Sequence, residues 1–415
     1  MKTIKISHIE KIEGHGGFLA NLLDGEVDKA EFIVAEGARL VEAIIRGRNY
    51  EEGPYVASRI CGICSVAHNL TGIKAIEEAF KVKITPQAER LRKILILAEF
   101  IQSHTAHIFF LAMADYFRAT TDLELIKQKP KLANEVILIR NFGNKIKEVI
   151  GGRYLHMLTP KVGGFTKAPE DRDLVELQKM IEPAFAGAVD LMRELQKLNY
   201  IKYERKTDFS GLIAPKEYAL YSGEIFFSGK IYPAKKFYLN LVEKERKDPV
   251  KKVLFNGGHY MVGALARINL HSKNLNKEAK KYLNFLEPLP NYNTILNTYA
   301  QGVELIHCLE EVEKLIKEYL RDKSRKVFTE YKVREGRGLG VTEAPRGTLF
   351  HDYIVDQYGK ILSANIITPT AQFLPNLEFD LKKFLDENKK NKLGQKKLIE
   401  IMVRSYDPCL TCAVH

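Results

Sequence analysis

Two Cys-x-x-Cys pairs stand near opposite ends of the chain: Cys61-Gly62-Ile63-Cys64 and Cys409-Leu410-Thr411-Cys412. They use four of the five cysteines in 415 residues. Thiolates three residues apart can grip one metal, and two such pairs complete a four-sulfur set. Ligation needs the thiolate, and a metal or a helix N-terminus lowers the free thiol pKa of ~8.5. The first pair precedes a predicted helix whose dipole acts in that direction. Pro408 fixes the backbone in front of the second. From the sulfurs alone, structural zinc, an iron–sulfur cluster and a nickel site all stay open. Zinc-ribbon pairs lie close in sequence, whereas these enclose most of the chain. A shared metal would tie its two ends together.

The elements that must bring the pairs together are readable as patterns. Residues 3–35 alternate between turn signals at Gly14, Gly16-Gly17 and Asp24-Gly25, which predicts short strands. Residues 37–47 read as a short helix. A second helix runs from about Cys64 to Phe80. A third starts at Pro86 and is apolar nearly all round to Phe117, the mark of a central buried helix. Further helices are predicted over 131–150, 170–198 and 293–321. The last carries a stripe of Leu305, Leu309, Val312, Ile316 and Tyr319. Residues 324–367 read as strands with a Gly-rich start and a turn at Tyr358-Gly359, and helices return over 371–387 and 394–403. The expected fold is α+β and predominantly helical, a central buried helix bundle with strand patches near both termini. No repeat or linker divides it, so residues 1–415 are expected to form one domain.

Composition narrows the class. Hydrophobic content of 45% and charged content of 28% are ordinary for a globular chain. No apolar run approaches the ~18 residues of a membrane span, because Glu99, Gln102, Ser103, His104 and His107 interrupt the most apolar stretch, 94–114. The N-terminus has no signal-peptide core, which favours the cytoplasm and reduced thiols. The net charge of +12 is a possible footprint of nucleic-acid binding. Its lysines are dispersed, however. The densest run, from Lys382-Lys383 through Lys389-Lys390 to Lys396-Lys397, reads as a solvated helix face. No nucleic-acid partner is expected.

The setting of the cysteines is specific. Arg59-Ile60-Cys61-Gly62-Ile63-Cys64 with His68, and Asp407-Pro408-Cys409-Leu410-Thr411-Cys412-Ala413-Val414-His415, closely resemble the two signature motifs of nickel–iron hydrogenase large subunits. Further matches are Ile12-Glu13-Gly14-His15, Glu42 through Arg48, Ser103-His104 with His107, Gly163-Gly164-Phe165, Gly263 through Arg267, Glu343-Ala344-Pro345-Arg346-Gly347 and Thr368-Pro369-Thr370. They span nearly the full length. The missing signal and modest length resemble the cytoplasmic, multi-subunit branch.

That resemblance implies a site. Cys61 and Cys409 would be terminal nickel ligands. Cys64 and Cys412 would bridge nickel to an iron carrying carbon monoxide and cyanide. Soft thiolates suit nickel and can bridge two metals. Glu13 matches the glutamate that relays protons from a terminal thiolate, although such an acid beside a glycine turn is ordinarily a surface residue. Arg346 matches the arginine above the open metal position, which polarises dihydrogen or accepts its proton. Pro345 and Thr370 would line the pocket of the diatomic ligands. Asp407 would pair with Arg346, and His68 would hydrogen-bond a bridging sulfur. Glu42, the carbonyl of Ile366 and the imidazole of His415 would bind magnesium or a similar divalent cation. In that family an extension after this histidine is removed once nickel is loaded, so an end at His415 resembles the mature form.

Two positions depart from the family. Lys11 stands where many members have arginine. Ser103 stands where uptake-type members can have aspartate, which removes one carboxylate expected around Arg346. Cys308 sits on the stripe of 293–321 and reads as a small core residue. His104 and His107 have helical spacing, but no third ligand lies nearby in sequence, so packing roles are expected.

The implied function is heterolytic cleavage or formation of dihydrogen. The four motif cysteines leave no set for an iron–sulfur cluster in this chain. Electrons would pass to an iron–sulfur small subunit and then to further electron-transfer subunits. Two alternatives are a metal-free relative like the core subunit of respiratory complex I, and a structural zinc protein or basic nucleic-acid binder. The intact cysteine set opposes the first. Zinc without nickel, or binding that weakens steeply with salt, would mark the second.

Overall fold

The alternating residues at the start of the chain pair as an antiparallel sheet of Lys2–Ile9, Gly16–Leu23 and Glu26–Val34. Phe18 lies opposite Phe32 across it, and both are buried. The structure is a computed structural model describing residues 2–23, 26–117, 119, 121–244, 249–388 and 394–415. The turn expected at Asp24-Gly25 and the lysines 389 and 390 lie outside the described residues. Lys397 turns inward to pair with Asp115, whose side chain is only 3% exposed, whereas Lys382 and Lys383 bond to the Asp28 carbonyl and Glu387, and Lys396 lies 4.0 Å from Glu400. The latter three agree with a solvated face.

The helix after the first cysteine pair is Ser65–Phe80, with Cys64 at its N-cap. The central helix begins with Thr85 capping the Ala88 N–H at 3.1 Å and Pro86 in the first turn. It runs as α-helix to Ala106 and continues through a wider π turn, His107–Ala112, and a tight turn ending at Asp115. The length of Pro86–Asp115 and the mean hydropathy of 1.5 over its most apolar 18 residues would suit a membrane span, which the interrupted pattern did not suggest, yet 78% of that window is buried inside the protein. It packs against Pro130–Gly151 and Asn297–Arg321, and Asp171–Gln196 completes the central bundle by contacting both of those helices. Leu305, Leu309, Val312, Ile316 and Tyr319 are all buried, so the predicted stripe is a core face.

Near the other end, Gly336–Ala344, Gly347–Val355 and Ile361–Ile367 form an antiparallel sheet. The cysteine helix lies directly on it. A Cβ at Gly338 would sit 1.9 Å from the Ala75 carbonyl, and one at Gly340 would sit 1.9 Å from that of Thr71. Only glycine lets the strand approach the helix backbone this closely. The Gly-rich start of this segment therefore sets where Cys64 stands.

Residues 199–292, to which the pattern assigned no element, contain a mixed sheet ordered Tyr260–Met261, Asp208–Ile213, Glu224–Phe227 and Lys230–Tyr232. Its strands are short, so their periodicity is weak. Its presence extends the expected arrangement, which placed strands only near the termini. Helices Pro369–Glu387 and Gln395–Ser405 lead into the last cysteine pair. One contiguous hydrophobic cluster runs from Ile6 to Val414. The last residues are therefore interior: Cys409 and Val414 are 0% exposed.

Candidate metal centre

The two ends of the chain meet through backbone contacts before any side chain is considered. Glu13 and Cys409 form a parallel bridge, with the Leu410 N–H donating to the Glu13 carbonyl at 3.0 Å. Arg39 donates to the Ile60 and Arg59 carbonyls, holding the turn before Cys61. The result places the four Sγ atoms of Cys61, Cys64, Cys409 and Cys412 within 4.8 Å of one another, all buried. Opposite ligands on one metal with bonds of ~2.3 Å lie at most about 4.6 Å apart. The widest pair has at most a slight contraction to make, so the set fits a common centre.

None of the four cysteines is in a disulfide, and their sulfurs share charge. Sulfhydryls of Cys409, Cys412 and Cys64 donate toward Cys61 and hold it well below the usual thiol range. Burial, with neighbouring sulfurs, pushes Cys409 and Cys412 well above it. Metal entry must therefore expel protons from the remaining sulfurs.

Arg346 stands over this set. Its Nε donates to the Asp407 carbonyl at 2.8 Å, one terminal nitrogen donates to Asp407 Oδ1 at 2.8 Å, and the other reaches Cys64 Sγ at 3.4 Å. Burial opposes its charge, but Asp407 and the cysteine sulfurs outweigh that, and its pKa stays well above the usual value. Asp407 holds a left-handed backbone, φ 51°, and its second oxygen accepts from Gln301 at 3.0 Å. Pro345 is held from behind: the Arg267 guanidinium donates to its carbonyl at 2.9 Å and pairs with Glu304 and Glu343. Thr370 Oγ1 accepts the Cys409 N–H at 3.2 Å.

On the other side, the Glu13 carboxylate accepts the Thr411 hydroxyl at 2.6 Å and its N–H at 3.2 Å. Burial, then the charge on Cys61, raises its pKa above the usual carboxylate range, while Thr411 and Cys409 pull it back. His68 Nε2 lies 3.8 Å from Cys412 Sγ. Burial lowers the pKa of His68 to about 3, so the ring is neutral. Arg346, Asp407, Thr370 and His68 are thus buried beside the cysteines, with Glu13 half-buried at their edge.

Comparison with known proteins agrees with this geometry. The family model described as nickel-dependent hydrogenase matches residues 39–149 and 234–415. The chain belongs to that family. It is 32% identical over 428 residues to sulfhydrogenase 2 subunit alpha of Pyrococcus furiosus, covering 99% of this chain and 98% of that protein. It is 27% identical over 474 residues to the NAD-reducing hydrogenase HoxS subunit beta of Cupriavidus necator, covering 100% and 95%. A crystal structure of an NAD+-reducing [NiFe]-hydrogenase in the H2-reduced state superposes with a TM-score of 0.90 at 28% identity over all of both chains. A [NiFeSe]-hydrogenase from Dm. baculatum shares the fold, with a TM-score of 0.80 at 21% identity. The chain is accordingly a catalytic large subunit of a nickel-dependent hydrogenase.

The hydrogenase chain also brings together the residues expected to hold a second cation. His415 Nε2 lies 2.8 Å from the Ile366 carbonyl and 3.8 Å from Glu42 Oε1. One carboxylate, one carbonyl and one imidazole are donors of the right type for a hard divalent ion. Lys251, which the sequence pattern did not single out, enters the same place. Its buried ammonium is 2.5 Å from Glu42 Oε1 and 3.1 Å from both the Ile366 carbonyl and Asn365 Oδ1. A divalent ion and this ammonium compete for the same oxygens.

Other groups around the centre escaped the sequence reading because their partners are remote. Glu99 accepts the N–H groups of Val66 at 2.6 Å and Ala67 at 3.1 Å. It caps the cysteine helix from outside and leaves the Cys64 sulfur free of that task. Among the described residues, His104 and His107 belong to no metal-ligand set. His104 bonds Glu304 at 2.8 Å and His107 bonds the Arg404 carbonyl at 2.8 Å, as packing roles require. Cys308 is buried on its helix stripe.

Proposed function

We propose that this subunit cleaves and forms dihydrogen heterolytically at a nickel–iron pair held by Cys61, Cys64, Cys409 and Cys412. The observation that carries this is the convergence of four buried sulfurs, with a carboxylate on one side and a fixed guanidinium on the other. When bound, the pair, whose iron carries carbon monoxide and cyanide, supplies the Lewis-acidic, electron-accepting position for dihydrogen. Cys61, Cys64, Cys409 and Cys412 would hold the pair, their thiolates supplying soft donors to both metals.

The chain's own groups do the rest. Arg346, clamped by Asp407, keeps an N–H directed beside Cys64 where charge develops, and needs no reorganisation to do so. Pro345 and Thr370 shape the wall around the diatomic ligands. Glu13, with its raised pKa, takes a proton from the Cys409 side and carries it outward. Each dihydrogen yields two protons and two electrons. The electrons leave through an iron–sulfur small subunit and from there to further electron-transfer subunits in the cytoplasm. The relatives named as alpha, beta or A subunits support such an assembly.

Near the C-terminus, Glu42, the Ile366 carbonyl and His415 would hold magnesium or a similar ion in place of the Lys251 ammonium. Element analysis of the purified complex tests both sites together. One nickel, one cysteine-bound iron and one magnesium per chain are expected, with infrared bands of carbon monoxide and cyanide. Zinc in place of nickel, without those bands, would overturn the reading. Absence of magnesium would leave Lys251 as the resident cation and overturn the second site alone.

A further inference from the structure

A line of three buried side chains leads away from Cys412. His68 Nε2 is 3.8 Å from Cys412 Sγ. His68 Nδ1 is 3.2 Å from His351 Nε2. His351 Nδ1 is 2.7 Å from the Tyr353 hydroxyl. None of the four residues is more than 3% exposed. The placement follows from secondary structure. His351 and Tyr353 alternate by two on the strand Gly347–Val355, so both face the cysteine helix.

Counting protons sets a direction along this line. The Tyr353 hydroxyl has one hydrogen and, among the described residues, one hydrogen-bond partner, His351 Nδ1. In so buried a position that hydrogen is donated to its one available acceptor. His351 Nδ1 is then an acceptor, so its proton is on Nε2 and points at His68 Nδ1. His68 Nδ1 is in turn an acceptor, and the proton of His68 is on Nε2, aimed at Cys412. At the far end, a metal-bound sulfur has no hydrogen to give and can only accept. The reverse arrangement fails at both ends, leaving a buried hydroxyl hydrogen without an acceptor and a nitrogen lone pair against a thiolate.

We propose that Tyr353 is a positioning residue for the metal centre, fixing the tautomers of His351 and His68 so that His68 presents an N–H to the Cys412 sulfur. A hydrogen bond to a metal-bound sulfur draws charge from it and tunes the metals behind it. Tyr353 thereby acts on the centre through two intervening rings. This rests on the reading of Cys412 as a metal-bound thiolate.

The test uses the purified, metal-loaded complex with Tyr353→Phe, which removes one hydroxyl and keeps the ring. Nickel and iron content and the melting temperature are measured beside the infrared bands of the diatomic ligands. The expected result is full metal content with bands displaced to lower wavenumber, and turnover lowered about tenfold, as for loss of other groups behind a metal ligand. His351→Phe should displace them the same way, and the double variant no further than His351→Phe alone. Bands that stay at the wild-type position, with or without a lower melting temperature, would overturn the proposal. Additive displacements in the double variant would overturn it too. Wild-type complex lacking the bands altogether would overturn the functional reading, and this inference with it.

Discussion

Replacing Arg346 with lysine isolates what a guanidinium does that a charge alone cannot. Arg346 spans three points at once: the Asp407 carbonyl, Asp407 Oδ1 and Cys64 Sγ. A lysine keeps the positive charge but has a single nitrogen on a flexible stem. Paired with Asp407, it gives up the N–H beside Cys64. Paired with the sulfur, it gives up the clamp that aims it. Removing one donor aimed at developing charge typically slows a reaction by about 10²–10³, or ~2.7–4 kcal/mol. Since the charge remains, the lower end applies, about 100-fold. Metal content should not change, because Arg346 is not a sulfur ligand and Asp407 keeps its 3.0 Å bond from Gln301. The assay is dihydrogen-dependent dye reduction alongside hydrogen–deuterium exchange, normalised to nickel. Turnover within about threefold of wild type at full metal loading would refute the reasoning and leave Arg346 as scaffold.

Cys409→Ser should abolish nickel loading, since the hydroxyl is a poor soft ligand. One nickel per chain in that variant would remove Cys409 from the ligand set. Glu13→Gln keeps the Thr411 contact but cannot take a proton, so turnover should fall by about 10²–10⁴ with the infrared bands in place. Near-wild-type turnover would reassign the proton path. Stability should also depend on His307, which lies away from the metals. Its Nδ1 accepts the Asn276 N–H at 3.1 Å, and burial lowers its pKa from 6.5 to about 4. Unfolded, the ring gains its proton near the higher value, whereas the folded ring gains it only near the lower one. Its contribution is therefore whole above pH ~6.5 and is lost as pH falls through about 4, on the order of 3 kcal/mol in total. Thermal melts of wild type and His307→Gln across that range should diverge in slope, and parallel curves would contradict the assignment.

Several features could be read without coordinates because each is local or carried by a specific motif. The stripe Leu305, Leu309, Val312, Ile316 and Tyr319 repeats with the helical period and is a core face. Pro86 and Thr85 announce a helix start by chemistry that acts within one turn. Both cysteine pairs, with Glu13 and Arg346, stand in motifs specific enough to name a family before any fold is known. The mid-chain sheet did not show, because strands as short as Tyr260–Met261 have too few residues to establish a period.

The groups that escaped notice share one physical cause. Glu99 is an unremarkable acid inside an apolar helix until its oxygens meet Val66 and Ala67. Lys251 is one of many lysines until burial places its ammonium on Glu42. Tyr353 acquires a role only through two histidines supplied by a strand and a helix far apart in the chain. Residue type and spacing state which atoms can bind metal, accept a proton or hold charge, since those capacities belong to the side chain itself. Direction, pairing and protonation depend on desolvation and on neighbours hundreds of residues away, and these exist only once the two ends of the chain have been folded against each other.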